Sequence, residues 1–574
     1  MNDKDFEIIV VGAGLSGIVA AARYLQRHPK CKLTIIEQDE CMGGVWSKRR
    51  DYPSFWTQWS HGIAEFADFA MERPPEEDCR NDLFKSKYTG KYLEDYVDLI
   101  KIDGRSLRDR MQFNIHVQSV EKHNGRWELK CTSQDIKDGI RVLKTTRLMM
   151  ANGQASIPRM PELPGRENFE GAIVHLLDFG QSAIIKNNRY QHITVLGGGK
   201  SALDMVYESV KAGKTVSWII RKTGDGSTGP GFFAPVDIKT PYRNAGYAAQ
   251  TRAMSSLQPC FMVKDTWWTW FLHRTSCGIG LVKWIFQQAD KAIRSHAAYT
   301  ERNSMMGFEK LEYETELFWQ NGVGGALHHA DTWPLIAEKV HVYRGRVKRL
   351  MKNEIYLDDE DITHFPCDAI LCGTGWHRGL DMFSDKLKAK LGLPYPRELN
   401  LKSLESEAKW ETLVADADKA MLHRFPVLRH PPPHTHIEST QTPYNLYRGM
   451  APLHDNSILF MNHITLGNKL FGAEAQAMWA VAYFDGNVQA PLEIKERDIA
   501  TWIAWCKRRH LSNGGLANSA AFDSVSYVDI LLQDMGVSAH RKKGWWKYWF
   551  EPVFPADLGR AWEEYLQQIK LRSG

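Results

Sequence analysis

Several features are missing from this sequence, and each absence closes off a class. None of the nine cysteines forms a C-x-x-C pair or stands at zinc-ligand spacing, which argues against zinc ribbons and the close dithiol of disulfide-exchanging enzymes. An odd cysteine count without framework spacing fits reduced, inert thiols rather than a secreted disulfide scaffold. Long apolar runs are also absent. The longest mainly apolar stretch, Ile8 to Ala22, is broken by three glycines and a serine, so no spanning helix is expected. Met1 to Glu7 is acidic and polar, unlike a secretory leader, and Arg572-Ser573-Gly574 is no peroxisomal address. The loop from His430 to His436 places a Pro-Pro-Pro stretch between histidines without fixed ligand spacing, and no metal is expected. The formal net charge of +5 is spread over 574 residues and predicts no nucleic-acid partner. Lys48-Arg49-Arg50 and Arg541-Lys542-Lys543 are short clusters that read as solvated faces. With 43% hydrophobic and 25% charged residues, the chain has the composition of an ordinary soluble globular enzyme of three or four domain-sized units, expected in the cytoplasm or peripheral to a membrane. Tryptophan alone is in excess, with 20 copies that point to aromatic-lined pockets or an interfacial surface.

What is present begins at once. Phe6 to Val11 is a short apolar run of the kind buried on both faces of a parallel sheet. It enters Gly12-Ala13-Gly14-Leu15-Ser16-Gly17 and then a helical stretch, Ile18 to Gln26. This is G-x-G-x-x-G in a strand–turn–helix setting: Gly12 allows the tight turn, Gly14 lets a pyrophosphate approach the backbone, and Gly17 lets helix and strand pack closely. A second strand, Lys32 to Ile36, ends in Glu37 and Gln38. Glu37 stands 25 positions after Gly12, where a carboxylate accepts hydrogen bonds from a ribose diol. A second fingerprint follows the strand His192 to Leu196, as Gly197-Gly198-Gly199-Lys200-Ser201-Ala202 and the helical Leu203 to Ala212. Ala202 replaces the third glycine and is small enough for the same packing. The next strand, Thr215 to Ile220, ends in Arg221-Lys222 rather than an acid, which suits the 2′-phosphate of NADPH. Two such units without a dithiol disfavour the disulfide reductases.

Further motifs carry a resemblance to the flavin-containing monooxygenases, the class that includes Baeyer–Villiger enzymes. Gly43-Gly44-Val45-Trp46 resembles their Gly-Gly-x-Trp signature beside FAD. Phe169, Gly171 and His175 match the linker fingerprint F-x-G-x-x-x-H-x-x-x-(Y/W), with Phe179 as the final aromatic. Ala151-Asn152-Gly153 and Gly373-Thr374-Gly375-Trp376 look like the family's two domain-crossing strand ends. Gly467 to Ala480 resembles the C-terminal helix facing the flavin, whose start favours negative charge on the reduced ring. Val120 is a further candidate on the FAD side. Tyr52 to Trp59 resembles the Tyr-Pro segment that crosses the active site. Six residues after the tyrosine the family places asparagine or aspartate, and here Gln58 stands, with Thr57 beside it. The resemblance implies that Gln58 orients NADP and the oxygenated flavin, and that His175 couples two domains.

The fold so implied is α/β with two Rossmann-like domains, the NADPH domain inserted in a discontinuous FAD domain. The expected boundaries are 1–165 and 367–574 for FAD and 166–366 for NADPH, with a helical insertion at about 225–330. The implied activity is oxygenation of a small organic molecule, at nitrogen or sulfur, with FAD, NADPH and O2 through a flavin C4a-(hydro)peroxide. Baeyer–Villiger oxidation of a ketone or aldehyde is the runner-up. A deprotonated peroxide would ask for a nearby cation, and Arg344, Arg346 and Arg378 are candidates. A flavin reductase or redox-sensing flavoprotein is the rival of another class. The basic, tryptophan-rich tail from Arg541 to Tyr565 has two readings: contact with a membrane surface, or a helix docked on the FAD domain by its tryptophans. The oligomeric state is left open.

Overall fold

The computed structural model describes residues 5–133, 139–224, 228–302, 306–360, 362–435 and 438–573; His436, expected in the proline-flanked loop, and the start of the expected insertion at 225–227 lie outside them. The first strand, Asp5–Val11, runs parallel to Leu33–Ile36 on one side and Arg141–Met150 on the other. Ile8, Ile9 and Val10 are wholly buried, as expected of a strand with a covered layer on each face. Arg126–Ser133 and Ile115–His123 extend the sheet antiparallel, and Met111–Gln112 closes its far edge. One more strand, Ile458–Phe460, pairs in parallel with Arg141–Met150, Leu148 opposite Ile458. The sheet therefore draws strands from both ends of the chain.

Helix Leu15–Arg27 lies between this sheet and helix Lys469–Phe484. The later helix is apolar around nearly its whole circumference (LFGAEAQAMWAVAYF), and every residue from Leu470 to Phe484 is buried, the pattern of a helix enclosed on all sides. Its buried Glu474 pairs with Arg23 of the first helix, which also binds Asp68. Burial of a charge is tolerated only with such partners.

The second sheet has five parallel strands in the order Ala172–His175, Ala369–Cys372, His192–Leu196, Thr215–Ile220 and Val340–Arg344. This is the α/β, two-Rossmann arrangement. One boundary differs from expectation: Ala369–Cys372, placed by the sequence in the returning FAD part, is an inner strand of the second sheet. Its Ala-Ile-Leu-Cys is buried on both faces, so the crossing occurs after Cys372. Between the fourth and fifth strands lies the insertion, with helices Ala245–Ala249, Arg252–Ser256, Trp267–Arg274 and Ser276–Ala297, closed by the parallel pair Phe232–Pro235 and Gly324–Leu327. It packs on the C-terminal helices: the Trp505 indole donates to Pro259 O (2.7 Å) and Arg424 to Phe261 O (2.9 Å). Among the described residues no helix is long and apolar enough to cross a membrane.

Candidate active site

A cavity of about 300 Å³ opens at the carboxyl ends of the first sheet's parallel strands, where open α/β sheets bind ligands. The backbone there has no room for side chains. Gly12 has φ +105°, and its N–H donates to Ile36 O at 2.8 Å. A Cβ at Gly17 would lie 1.9 Å from Gly12 O, and one at Gly44 would lie 3.3 Å from Gly14 Cα. Helix Leu15–Arg27 starts from Gly14 with no side-chain cap, so its first N–H groups face the cavity as an anion site. Leu15 and Ser16 of that turn, with Gly44, Val45, Trp46 and Gln38, line the same space. Glu37 sits at the strand end, accepting from Ala13 N–H (2.7 Å) and Asp39 N–H (3.1 Å). Burial pushes its carboxyl above the usual range, against the pull of those two bonds.

Orphaned polar atoms face this cavity. Asn152 Oδ1 and Asn462 Oδ1 are buried without a partner, and both residues line it. Buried acceptors left unpaired are costly, and a ligand bearing N–H and O–H donors would satisfy them. Two cations enter as well: Arg50, which holds Ala155 O at 2.7 Å, and Lys469 at the start of the enclosed helix. Burial alone pulls the Lys469 ammonium below its ordinary value. Asn468 beside it donates to Ile63 O at 3.0 Å, which fixes the start of that helix.

The second fingerprint has the same construction. Gly197 has φ +122°, and a Cβ there would meet Gly373 O at 2.2 Å. Ala202 is wholly buried against Gly373, which explains why a small residue suffices in place of glycine. Gly199 precedes the uncapped helix Lys200–Lys211 and faces Val323 of the insertion. Ser201 lies in the helix's first turn, and Arg221 and Lys222 follow the end of strand Thr215–Ile220.

An aromatic ladder joins the two sites. Trp46 stacks on Phe55 (5.3 Å between centroids, 10°) and Phe55 on Tyr52 (4.8 Å, 8°). The Tyr52 hydroxyl donates to Asp204 Oδ2 at 2.8 Å, and Asp204 also pairs with Lys200, whose ammonium lies 5.4 Å from the Phe55 ring. Burial drives the Asp204 carboxyl up, with Lys200 and Tyr52 opposing it. The linker braces this ladder. Gly171 must lack a side chain because a Cβ would meet Asp368 O at 2.3 Å and the Phe169 ring at 2.4 Å. His175 accepts from Leu177 N–H through Nδ1 and donates through Nε2 to Gly375 O at 2.9 Å; burial lowers its basicity. Phe179 meets Tyr52 edge-on at 5.5 Å. His175 is thus the tie between the outgoing and returning crossings.

Known proteins give this arrangement a family. A model described as pyridine nucleotide-disulphide oxidoreductase matches residues 9–232. The FAD-dependent monooxygenase rstn6 of Aspergillus nomiae NRRL is 30% identical over 559 residues, 94% of this chain and 94% of its own length. The chain belongs to the FAD-dependent monooxygenases. The FAD-dependent monooxygenase DEP4 of Alternaria brassicicola is likewise 30% identical, over 98% of this chain and 95% of its own. In fold, the monooxygenase resembles the open crystal structure of cyclohexanone monooxygenase, with a TM-score of 0.58, 14% identity, and coverage of 92% of this chain and 97% of that one.

Against that frame of FAD chemistry, four residues of the monooxygenase stand elsewhere than the sequence suggested. Thr57 is wholly buried, its hydroxyl donating to Trp59 O (2.9 Å) and accepting from Phe84 N–H; it braces a turn and does not line the FAD-side cavity. Gln58 is exposed, and its amide oxygen accepts from Ala326 N–H of the insertion, so it does not line the FAD-side cavity. It lies on the route from Gly199 and Val323 toward the Tyr52 segment. Val120 is core: its N–H donates to Met382 O at 2.9 Å. A register shift between Val117 and Ser119 resets the alternation of that strand, and Val117, not Val120, lines the cavity. Arg50, read as part of a solvated cluster, is 7% exposed and lines the FAD-side cavity. Only burial distinguishes it from Lys48 and Arg49, and burial is not a local property. Among the described residues no cluster of metal-ligating side chains exists. All nine cysteines are free.

Proposed function

We propose that the chain oxygenates a small organic molecule at nitrogen or sulfur, taking hydride from NADPH and one oxygen atom from O2. The balance is substrate plus NADPH, H+ and O2, giving oxygenated substrate, NADP+ and water. The reading rests on one observation: two glycine-rich nucleotide sites bridged by the Trp46–Phe55–Tyr52–Asp204 ladder, with no dithiol beside them.

FAD, when bound, supplies the two-electron and oxygen chemistry that side chains lack. The first-turn amides of Leu15 and Ser16 and the guanidinium of Arg50 would hold its phosphates, and Glu37 its ribose diol. Asn152, Asn462 and Lys469 would face its ring and ribityl chain, with Trp46 flanking them. Gly197, Gly199, Lys200, Ser201 and Ala202 would seat the NADPH pyrophosphate, with Arg221 and Lys222 on the 2′-phosphate. Gln58 does not line the FAD-side cavity and would meet NADPH only from the insertion side, where its amide oxygen is held by Ala326 N–H. With both cofactors bound, the stacked rings of Trp46, Phe55 and Tyr52 would exclude water between them.

A second reading, ketone or aldehyde oxygenation, is favoured by the cation Lys469 in the FAD-side cavity, since it would stabilise an anionic oxidant. Arg344 and Arg378 are engaged elsewhere, on Thr228 O and Gln441 Oε1.

The test is turnover of flavin-loaded enzyme with NADPH under 18O2 and a panel of sulfides, amines and ketones. One labelled oxygen per product, with NADPH consumed in equal amount, supports oxygenation, and the substrate class that carries label chooses between the readings. NADPH consumption that yields only hydrogen peroxide with every class would refute both.

A further inference from the structure

The molecule exposes tryptophan on two separate elements that the tertiary structure brings to one short helix. In helix Trp267–Arg274, Trp268 and Phe271 stack inward (5.7 Å), while Trp267 and Trp270, three residues apart, turn outward. The following helix, Ser276–Ala297, buries Val282, Phe286 and Ile293 and exposes Leu281 and Trp284 at the same spacing. Trp267 is 77% exposed and Trp284 57%. In the tail helix Trp545–Phe550, Trp545 and Trp546 are 68% and 66% exposed. An outer helix face ordinarily carries charged and polar residues. Here it carries indoles.

Both groups flank Arg252–Ser256. At one end of that helix the Trp268 indole donates to Ser256 Oγ at 3.2 Å; at the other, Arg252 lies 4.9 Å from the Tyr548 ring. The five residues between these contacts span on the order of 6 Å. The tail helix is anchored through Tyr242, whose hydroxyl donates to Phe550 O at 2.7 Å, and through Val553 N–H on Gln250 O. Thus it docks on the insertion, by Tyr548 and Phe550, and its outer tryptophans take no part. Docking on the FAD domain belongs to the next helix, Pro555–Ser573, where the Trp562 indole donates to Gln26 at 2.8 Å.

Lysine dominates the exposed charge beside the indoles. Lys264, Lys283, Lys543 and Lys547 are exposed there. The neighbouring acids are engaged: Asp265 with Arg274, Glu551 and Asp557 with Lys542, and Glu564 with Arg541. Like-charged rims oppose pairing of this face with a second copy. Indoles among lysines match the headgroup level of a bilayer carrying anionic lipid, where the ring sits between apolar and wet regions and the ammonium meets phosphate or carboxylate.

We propose that the insertion and the tail together form a face that lies on an anionic lipid surface, with Trp267, Trp270, Trp284, Trp545 and Trp546 entering the headgroup layer. This goes beyond the oxygenase reading and does not depend on which atom is oxygenated.

The experiment is flotation of the flavin-loaded full chain with phosphatidylcholine vesicles, with and without phosphatidylserine, alongside tryptophan emission and light scattering. The wild type should float with the phosphatidylserine vesicles, and its emission should shift to the blue. Trp267→Ser with Trp284→Ser, and separately Trp545→Ser with Trp546→Ser, should each weaken partition on the order of tenfold or more. Lys543→Glu with Lys547→Glu should abolish the preference for phosphatidylserine. Flavin content and NADPH oxidation without vesicles should match wild type in every variant, which separates this test from that of the oxygenase reading. Wild-type protein that stays with buffer for both vesicles, or indole variants that float as well as wild type, would overturn the proposal. A wild-type dimer that the same substitutions dissociate, without vesicle capture, would assign the face to a second copy instead.

Discussion

The Tyr52 hydroxyl donates to Asp204 Oδ2 at 2.8 Å, joining the segment beside the FAD-side cavity to the first turns of the second nucleotide helix. Both groups are buried, and a hydrogen bond to a charged acceptor is worth about 1.5–3 kcal/mol. Tyr52→Phe leaves Asp204 with Lys200 alone and loosens the bridge. Stopped-flow reduction of the bound flavin by NADPH should slow by roughly tenfold or more, with flavin content near wild type. Unchanged reduction would show that the ladder does not couple the two sites.

Arg50 is the residue whose burial changed its meaning. Arg50→Met keeps most of the volume and removes the guanidinium from the FAD-side cavity. The loss of one charge-assisted contact predicts FAD affinity weaker by about 1.5–3 kcal/mol, read as flavin lost on dilution and ultrafiltration. Melting of the flavin-free protein is the control, since it separates affinity from folding.

Removing charge at the end of strand Thr215–Ile220 should be felt by one nucleotide only. Arg221→Ala with Lys222→Ala should raise KM for NADPH on the order of tenfold to a hundredfold, while KM for NADH hardly moves. Equal loss for both nucleotides would place the 2′-phosphate elsewhere.

In the lining of the FAD-side cavity, Lys469 offers a cation with burial as its only perturbation. Negative charge on a reduced flavin beside it is stabilised by Coulomb attraction. Lys469→Met should therefore lower the flavin midpoint potential, with Lys469→Arg restoring most of it. Spectroelectrochemical titration at matched flavin content reads this directly, and an unshifted potential would remove Lys469 from the flavin.

His463 gives a pH dependence. It is fully buried, beside the Tyr444 hydroxyl (3.3 Å), and burial holds its basicity down to about 4, with Arg378 adding repulsion. Its unfolded value is near 6.5, so below that pH the unfolded chain binds the extra proton. The stability is complete above about 6.5 and lost as pH falls toward about 4. At pH 5 the loss is about 2 kcal/mol from this group. His463→Gln should show a smaller fall in Tm between pH 7 and pH 5 than wild type.

The sequence by itself determined the parts whose physics is local. The two glycine fingerprints and Gly171 of the linker were legible because a positive φ or a missing Cβ is required at fixed spacing from a strand end; Glu37, Ala202, Phe169 and His175 were legible by their spacing from those glycines. Gly12, with φ +105°, and Gly171, where a Cβ would meet Asp368 O, are such positions. What only the tertiary structure decided depends on which distant segment covers a side chain. Arg50 reads like Lys48 until the fold buries it. Thr57 and Gln58 are adjacent, yet one is spent on a turn and the other bound to the insertion. Val117 and Val120 share one core cluster, and only Val117, before the register shift, also reaches the cavity. The outward indoles became one face because Arg252–Ser256 lies between them. Spacing along the chain carries the conformations a backbone must adopt; burial, pairing and exposure belong to contacts between residues hundreds of positions apart, and those exist only once the chain has folded.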